Sequence, residues 1–146
     1  MPFVARWSGR LPAGKEFRAP VISLDILPTA AALAGARLPS GVRLDGVDLL
    51  PHLTGRLGRA PHQRLFWRTG GGAQFAVREG RYKLLKSAEG AQLYDLERDP
   101  GETIDISAKR KSVFERLERA RQEWNRELKA PLFESPRPAA KKGKKK

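Results

Sequence analysis

Cysteine is absent from this chain of 146 residues, and histidine occurs only as His52 and His62. Without cysteine the chain can form no disulfide, no thiolate metal ligand and no cysteine nucleophile. The two histidines lie ten residues apart in segments flanked by proline, and this spacing matches no recognised metal site. We therefore expect them to be exposed loop residues.

Long apolar runs are also missing. No stretch approaches the roughly 18–20 apolar residues that a membrane helix needs. Residues 1–7 lack the long apolar core of a signal peptide. We expect neither a membrane span nor an export signal in the chain as written, and its cellular location is not indicated.

Acidic residues are few beside basic ones, 16 against 29, so the formal net charge is +13. Such an excess raises the question of a nucleic-acid partner. From Ser135 onward there are six basic residues and no acidic one, which leaves +7 on the first 134 residues. This segment has no apolar residue larger than alanine, so we expect residues 134–146 to be a disordered, Lys-rich tail.

The first helix is predicted between Ser23 and Gly35, after an apolar start of extended character at residues 1–4. Ser23 is a candidate N-cap and Gly35 a candidate C-terminal cap. Pro28 falls late in the first turn, so an irregular start is expected. The helix carries an apolar stripe that requires a partner surface.

Residues 38–55 read as a loop followed by a short helical turn. Asp45 and Asp48 could be imagined as calcium ligands, but the segment lacks the further oxygen ligands of a cation-binding loop. We therefore interpret both aspartates as turn-capping residues.

Four short strand candidates follow, each separated from the next by a turn signal. They are Leu65–Arg68, Gln74–Arg78, Tyr82–Lys86 and Gln92–Leu96. Their short connections predict antiparallel hairpins. The Gly70-Gly71-Gly72 run is interpreted as a flexible hairpin tip, because no Lys-Ser/Thr pair follows it as in a phosphate-binding loop.

The last helix is predicted to start at Ser112, where Ser112 and Glu115 match a capping box, and to end at Pro131. Its apolar stripe favours packing across one sheet face, so the predicted fold class is α+β: an antiparallel four-stranded sheet against an amphipathic helix. Trp124 is then a core residue, although a stacking platform for bases is the alternative.

The stretch from Gln92 to Ile106 predicts a strand, a hard turn at Asp99-Pro100-Gly101 and the entry to the last helix. Spacing reveals no carboxylate pair, metal cluster or nucleophile–base set anywhere in the chain. The polar residues in and around the last strands are therefore interpreted as sheet and turn residues: Tyr82, Lys83, Tyr94, Asp95, Asp99, Glu102 and Asp105.

Five segments in order resemble the C-terminal portion of formylglycine-dependent sulfatases of the arylsulfatase type, within the alkaline-phosphatase-like superfamily. They are residues 2–9, residues 23–35 with their Asp-x-x-Pro-Thr sequence, residues 44–55, residues 77–84 and residues 92–102. The resemblance runs from about residue 2 to residue 133. It implies that residues 1–60 are the edge of a larger α/β domain, contributing a strand and a helix. Residues 61–133 would form a smaller sheet-and-helix subdomain.

Members of this family use a formylglycine made in a Cys/Ser-x-Pro-x-Arg motif, together with a bound calcium ion. This chain has no such motif, and Ser135-Pro136-Arg137 has the wrong spacing. We therefore carry over no catalytic, cofactor-binding or metal-binding residue, and calcium is implied only for the intact family.

Two functions compete. The first is a C-terminal fragment of a sulfuric ester hydrolase that is inactive alone and has the missing N-terminal portion as its partner. The second is a small basic protein whose Lys-rich tail binds nucleic acid or another polyanion weakly and without sequence specificity. A degraded gene product without function is a third reading.

Overall fold

The computed structural model describes residues 3–37, 40–69 and 72–130. Contacts divide the chain into two compact units, Met1–Gln63 and Arg64–Lys146. The predicted boundary was at residue 60. That the first unit forms the edge of a larger domain stays a prediction.

The first unit contains a 3₁₀ turn, Ser23–Asp25, and two helices, α1 (Ile26–Leu33) and α2 (Leu50–Leu53). The expected N-terminal strand is not formed in residues 3–22. Backbone groups of a strand need a neighbouring strand for their hydrogen bonds, and none of the described residues supplies one there.

The two ends of α1 differ in how well they were predicted. Ser23 is not the N-cap: Asp25 provides the local cap, because its side chain accepts a 2.9 Å hydrogen bond from the Ile22 N–H. The 3₁₀ turn confirms the irregular start. At the other end, Gly35 has a φ of 64° and the Ala36 N–H donates to the Ala31 carbonyl at 2.9 Å. This is the expected glycine cap.

The second unit is built on an antiparallel sheet of order β1-β2-β3-β4. Its strands are β1 (Arg64–Thr69), β2 (Gln74–Glu79), β3 (Tyr82–Ser87) and β4 (Gly90–Asp95). This confirms the four predicted strands and their hairpin connections. In the predicted glycine tip, Gly70 and Gly71 lie outside the described residues.

One row of side chains runs across all four strands, through Phe66, Val77, Leu84 and Leu93 in direct register. Leu117 of α3 (Lys111–Glu127) packs on this row and is fully buried with its last three members. The fold is therefore α+β, as predicted. Trp124 stacks on Phe66 with 5.1 Å between ring centroids, which supports its interpretation as a core residue.

The predicted capping box at the start of α3 is wrong. The helix begins at Lys111 with Arg110 at the N-cap position, and no side chain caps it. A turn ending in the 2.9 Å bond from the Arg110 N–H to the Ile106 carbonyl leads directly into the helix. Ser112 consequently lies inside the first turn, where its side chain cannot act as the N-cap.

At its other end, α3 stops at Glu127. Arg68 of β1 donates a 2.8 Å hydrogen bond to the Lys129 carbonyl just beyond the helix. The predicted stop at Pro131 and the predicted tail at 134–146 lie outside the described residues. Within the described part of the chain, no helix combines the length and apolarity needed to cross a bilayer.

Candidate functional site

A buried carboxylate organises the first unit. Asp25 has no exposed surface, and its oxygens accept hydrogen bonds from three partners. The Ile22 and Val47 N–H groups each donate at 2.9 Å, and His62 Nε2 lies 2.8 and 2.9 Å from the two oxygens. We call Ile22, Asp25, Val47 and His62 the Asp25 hub; it joins three segments of the unit.

Two further residues hold the same loop against the hub. Thr29 Oγ1 donates to the Asp25 carbonyl at 2.7 Å and accepts the Leu49 N–H at 2.9 Å. At Gly46 the backbone passes so close that a Cβ would lie 2.0 Å from the Leu24 carbonyl oxygen. Asp25, Thr29 and Gly46 are thus coupled through backbone contacts.

The expectation of two exposed histidines is wrong. The His62 side chain is only 8% exposed because it lies against Asp25, and His52 is buried with Nδ1 2.9 Å from the Arg59 carbonyl oxygen. The Asp25 carboxylate is fully buried and therefore needs hydrogen-bond partners. Local spacing could not reveal the His62 contact, because its partner is 37 residues away.

The Asp25 hub is a structural constellation. An imidazole held by a carboxylate is two thirds of a nucleophilic triad, which also needs a hydroxyl that hydrogen-bonds to the imidazole. The nearby Thr29 hydroxyl donates to the Asp25 backbone carbonyl instead. Among the described residues, no three His, Asp or Glu side chains gather to hold a metal ion. Asp48 accepts the Leu50 N–H at 2.9 Å and so holds the turn that precedes α2. These carboxylates do not fit the calcium site of the intact family.

The second candidate region is the acidic turn after β4. Asp99 accepts the Thr103 and Ile104 N–H groups at 2.8 Å, and the Ile104 bond is the main cause that lowers the pKa of Asp99. Asp95 pairs with Arg81, and this contact lowers the pKa of Asp95. Both carboxylates therefore remain ionised and hold the turn.

The next acidic residues fix the chain against β3 and β4. Burial opposes ionisation of Asp105, but N–H groups of Leu93 and Ser107 outweigh it, so its pKa is lowered. Glu102 has a φ of 56° and is the one non-glycine residue with a positive φ in the part of the chain that the structure describes. Its Oε1 accepts a hydrogen bond from Lys83 Nζ at 2.6 Å. Burial raises the pKa of Tyr94, as do the neighbouring carboxylates. All of these residues occupy the sheet and turn positions predicted for them.

Comparison with curated proteins finds sulfatases. Human arylsulfatase A is 38% identical over 132 residues, covering 72% of this chain and 25% of that protein. Human arylsulfatase G is 41% identical over 100 residues, or 65% of this chain and 19% of that protein. Rat steryl-sulfatase is 41% identical over 66 residues, which cover 45% of this chain and 11% of that protein. The chain spans about a quarter or less of these relatives.

Solved structures give the same result. The crystal structure of Ps i-CgsB is 31% identical with a TM-score of 0.76, over 88% of this chain and 29% of that one. The same protein has been solved in complex with k-i-k-neocarrahexaose. A putative sulfatase from Bacteroides thetaiotaomicron is 26% identical with a TM-score of 0.50, over 77% of this chain and 27% of that one. No protein-family model matches the chain.

Proposed function

Because this chain belongs to the sulfatase family, as a portion similar to the C-terminal part of its arylsulfatases, we propose that it is the C-terminal part of a sulfuric ester hydrolase. We further propose that it is inactive alone. The observation that carries the proposal is the coverage: similarity extends over 72–88% of this chain but only 25–29% of arylsulfatase A and Ps i-CgsB.

The chemistry agrees with this division. The sequence contains no Cys/Ser-x-Pro-x-Arg motif from which a formylglycine could be made. The carboxylates of the described residues are used in caps, turns and ion pairs rather than gathered for calcium. In our proposal, both the nucleophile and the calcium ligands belong to polypeptide outside this sequence.

We propose that this polypeptide, the remaining sulfatase portion, is also the physical partner. Several large apolar side chains of the first unit, three of them in α1, are exposed. They are Phe3, Val4, Leu24, Ile26, Leu27 and Leu33. Such a surface is typical of a face that packs against more protein. The first unit would then complete the edge of a larger domain, and the second unit would be the smaller domain.

The nucleic-acid alternative gains no support. Trp124, the candidate stacking platform for bases, stacks on Phe66 instead. The relatives named above are all sulfatases or putative sulfatases by name, apart from Ps i-CgsB, whose name states no activity. Weak polyanion binding by the tail stays a prediction.

The test is a hydrolysis assay on the purified chain. With a chromogenic aryl sulfate, with and without added calcium, we expect no sulfate release, whereas human arylsulfatase A in the same assay serves as the positive control. Turnover by the purified chain above the no-enzyme rate would overturn the proposed inactivity. An adjoining reading frame that encodes Cys/Ser-x-Pro-x-Arg would support the proposed division of the enzyme.

A further inference from the structure

The two edges of the sheet in the second unit differ in how the chain covers them. On the outer edge of β4, the Leu93 carbonyl accepts the Ile106 N–H at 2.8 Å, and the Leu93 N–H donates to Asp105 Oδ1 at 3.0 Å. The chain itself therefore occupies the middle of that edge. The strand at the opposite edge is β1. An edge strand without such cover is a template for pairing with a further strand.

The register shows which main-chain groups of β1 point away from the sheet. In an antiparallel sheet, hydrogen bonding to a given neighbour involves every second residue of a strand. Leu93 faces outward on β4, and the regular register across the sheet then places the outward N–H and C=O groups of β1 at Arg64, Phe66 and Arg68. No described residue outside the sheet makes a main-chain hydrogen bond to these three, which we call the β1 edge.

The side chains of the β1 edge lie on the face that α3 covers, since residues two apart on a strand share a face. Phe66 packs against the buried core of the unit and lies directly opposite Val77. Trp124 of α3 stacks on the Phe66 ring. An apolar side chain opposite Phe66 on an added strand would consequently extend the apolar row by one member.

Each end of the β1 edge carries positive charge that the described residues do not fully neutralise. At one end, Arg64 and Arg116 share the single carboxylate of Glu79. At the other end, Arg68 donates to the uncharged Lys129 carbonyl at 2.8 Å, and no carboxylate of the described residues is in contact with it. Opposite charges at directly facing positions stabilise a pair of strands, and like charges destabilise it.

We propose that the β1 edge binds an extended acidic segment of a partner polypeptide as a fifth, antiparallel strand. Alternate residues of this segment lie opposite Arg68, Phe66 and Arg64, so they are acidic, apolar and acidic in turn. Main-chain hydrogen bonds supply affinity, and the alternate side chains supply specificity. A second copy of β1 is the poorer occupant, because pairing centred on Phe66 places Arg64 opposite Arg68. The inference is independent of the proposed function, since adding a strand involves no hydrolysis.

The first test measures binding of a fluorescein-labelled peptide, Thr-Glu-Thr-Val-Thr-Glu-Thr, to the full chain by fluorescence anisotropy near physiological salt. We expect saturable binding in which the valine N–H donates to β1. Methylation of the valine nitrogen should weaken binding about tenfold, because it removes this hydrogen bond and places a methyl group against β1.

The matched control is methylation of the next threonine nitrogen, which points away from β1 in the antiparallel arrangement. It should change affinity by less than about twofold. Both methylated peptides carry the same charge as the parent peptide, so attraction to the Lys-rich tail cannot produce the difference.

The second test concerns charge. Arg68→Gln should bind the peptide about threefold more weakly than the parent chain, as expected for one exposed ion pair, whereas Arg119→Gln on the exposed side of α3 should bind it as the parent does. A peptide with both glutamates replaced by glutamine should bind equally to Arg68→Gln and to the parent chain. That equality would show that the variant keeps the β1 edge intact.

Three outcomes would overturn the proposal. Equal weakening by the two methyl groups would assign binding to charge alone. Binding that strengthens as the chain is diluted would identify a second copy as the preferred occupant, and the absence of saturable binding would leave the edge without this partner. Turnover in the hydrolysis assay would refute the proposed inactivity while leaving these measurements unchanged.

Discussion

Among the described glycines of the first unit, Gly46 has the least room for a side chain. Its backbone lies against Leu24 and Asp25, and the next residue, Val47, donates its N–H to the buried Asp25 carboxylate. A side chain at Gly46 would therefore have to displace the loop. Displacement would break a hydrogen bond to a carboxylate that water cannot reach.

We predict that Gly46→Ala destabilises the first unit by about 3 kcal/mol, through overpacking and loss of the Val47 bond. The matched control is Gly58→Ala, where a Cβ meets no atom within 4 Å, and which should change stability by less than about 0.5 kcal/mol. Urea unfolding followed by circular dichroism checks both variants. Equal midpoints for the two variants would show that the close approach is not maintained in solution.

The residues of the Asp25 hub show where sequence reasoning reaches its limit. Asp25 and Thr29 stand out in an Asp-x-x-Pro-Thr segment, yet local rules interpret Asp25 only as a first-turn residue. Its partners Val47 and His62 come from 22 and 37 residues away. Helix and turn rules describe neighbours in sequence, so they could not place a carboxylate and an imidazole together.

At the scale of elements, a charged cluster joins α3 to the sheet. Glu118 accepts hydrogen bonds from Arg121 at 2.6 and 2.7 Å and from Lys86 of β3 at 3.2 Å. Arg121 also lies over the Phe75 ring at 4.7 Å. The hydrogen bonds from Arg121 are the largest cause that lowers the pKa of Glu118 from 4.5 to about 2.

This lowered pKa predicts a pH-dependent contribution to stability. A carboxylate whose pKa is depressed on folding stabilises the fold above its unfolded pKa, and the contribution is lost as pH falls toward the folded value. As the pH falls from 5 to about 2, the free energy of unfolding of the parent chain should decrease by about 1 kcal/mol more than that of Glu118→Gln. The difference is no larger because water screens this partly exposed cluster.

Urea unfolding of both proteins across that pH range gives the comparison. Glu123→Gln, on the exposed side of the same helix, should keep the pH dependence of the parent chain. A Glu118→Gln variant with the same pH dependence as the parent would contradict the role assigned to the cluster.

The strands of the second unit were easier to predict from the sequence than the side-chain contacts of the first unit. Alternating apolar residues and glycine turns predicted all four strands, because strand pairing here joins neighbours in sequence. The start of α3 was misplaced because the turn at 106–110 already forms helix-like hydrogen bonds. The N-terminal strand failed for the opposite reason: its extended character has no paired neighbour within the described residues.

At the scale of the whole molecule, the first unit exposes apolar side chains that its own contacts do not cover. Ile26 and Leu27 at the start of α1 are each more than half exposed, as is Leu24 just before them. Contiguous apolar surface of this kind promotes association. In the absence of the proposed partner, copies of the chain offer the same surface to one another.

We predict that the isolated chain self-associates as its concentration rises, and that the double change Ile26→Thr with Leu27→Gln reduces this association. Sedimentation velocity over a concentration series measures the effect. Val42→Thr, which changes an equally exposed apolar residue in a loop, is the control and should behave like the parent chain. A parent chain that sediments as a monomer at every concentration would contradict the prediction.

The simple order of the sheet has a consequence for how the chain folds. Each strand pairs with the one that follows it, and two-residue connections join β2 to β3 and β3 to β4. Closing short loops costs little chain entropy, and proteins rich in such local contacts fold quickly. The contacts that α3 makes with β2 and β3 span longer loops and so form at greater entropic cost. The hairpins can consequently form first, and α3 then completes the core by docking on a sheet that is already paired.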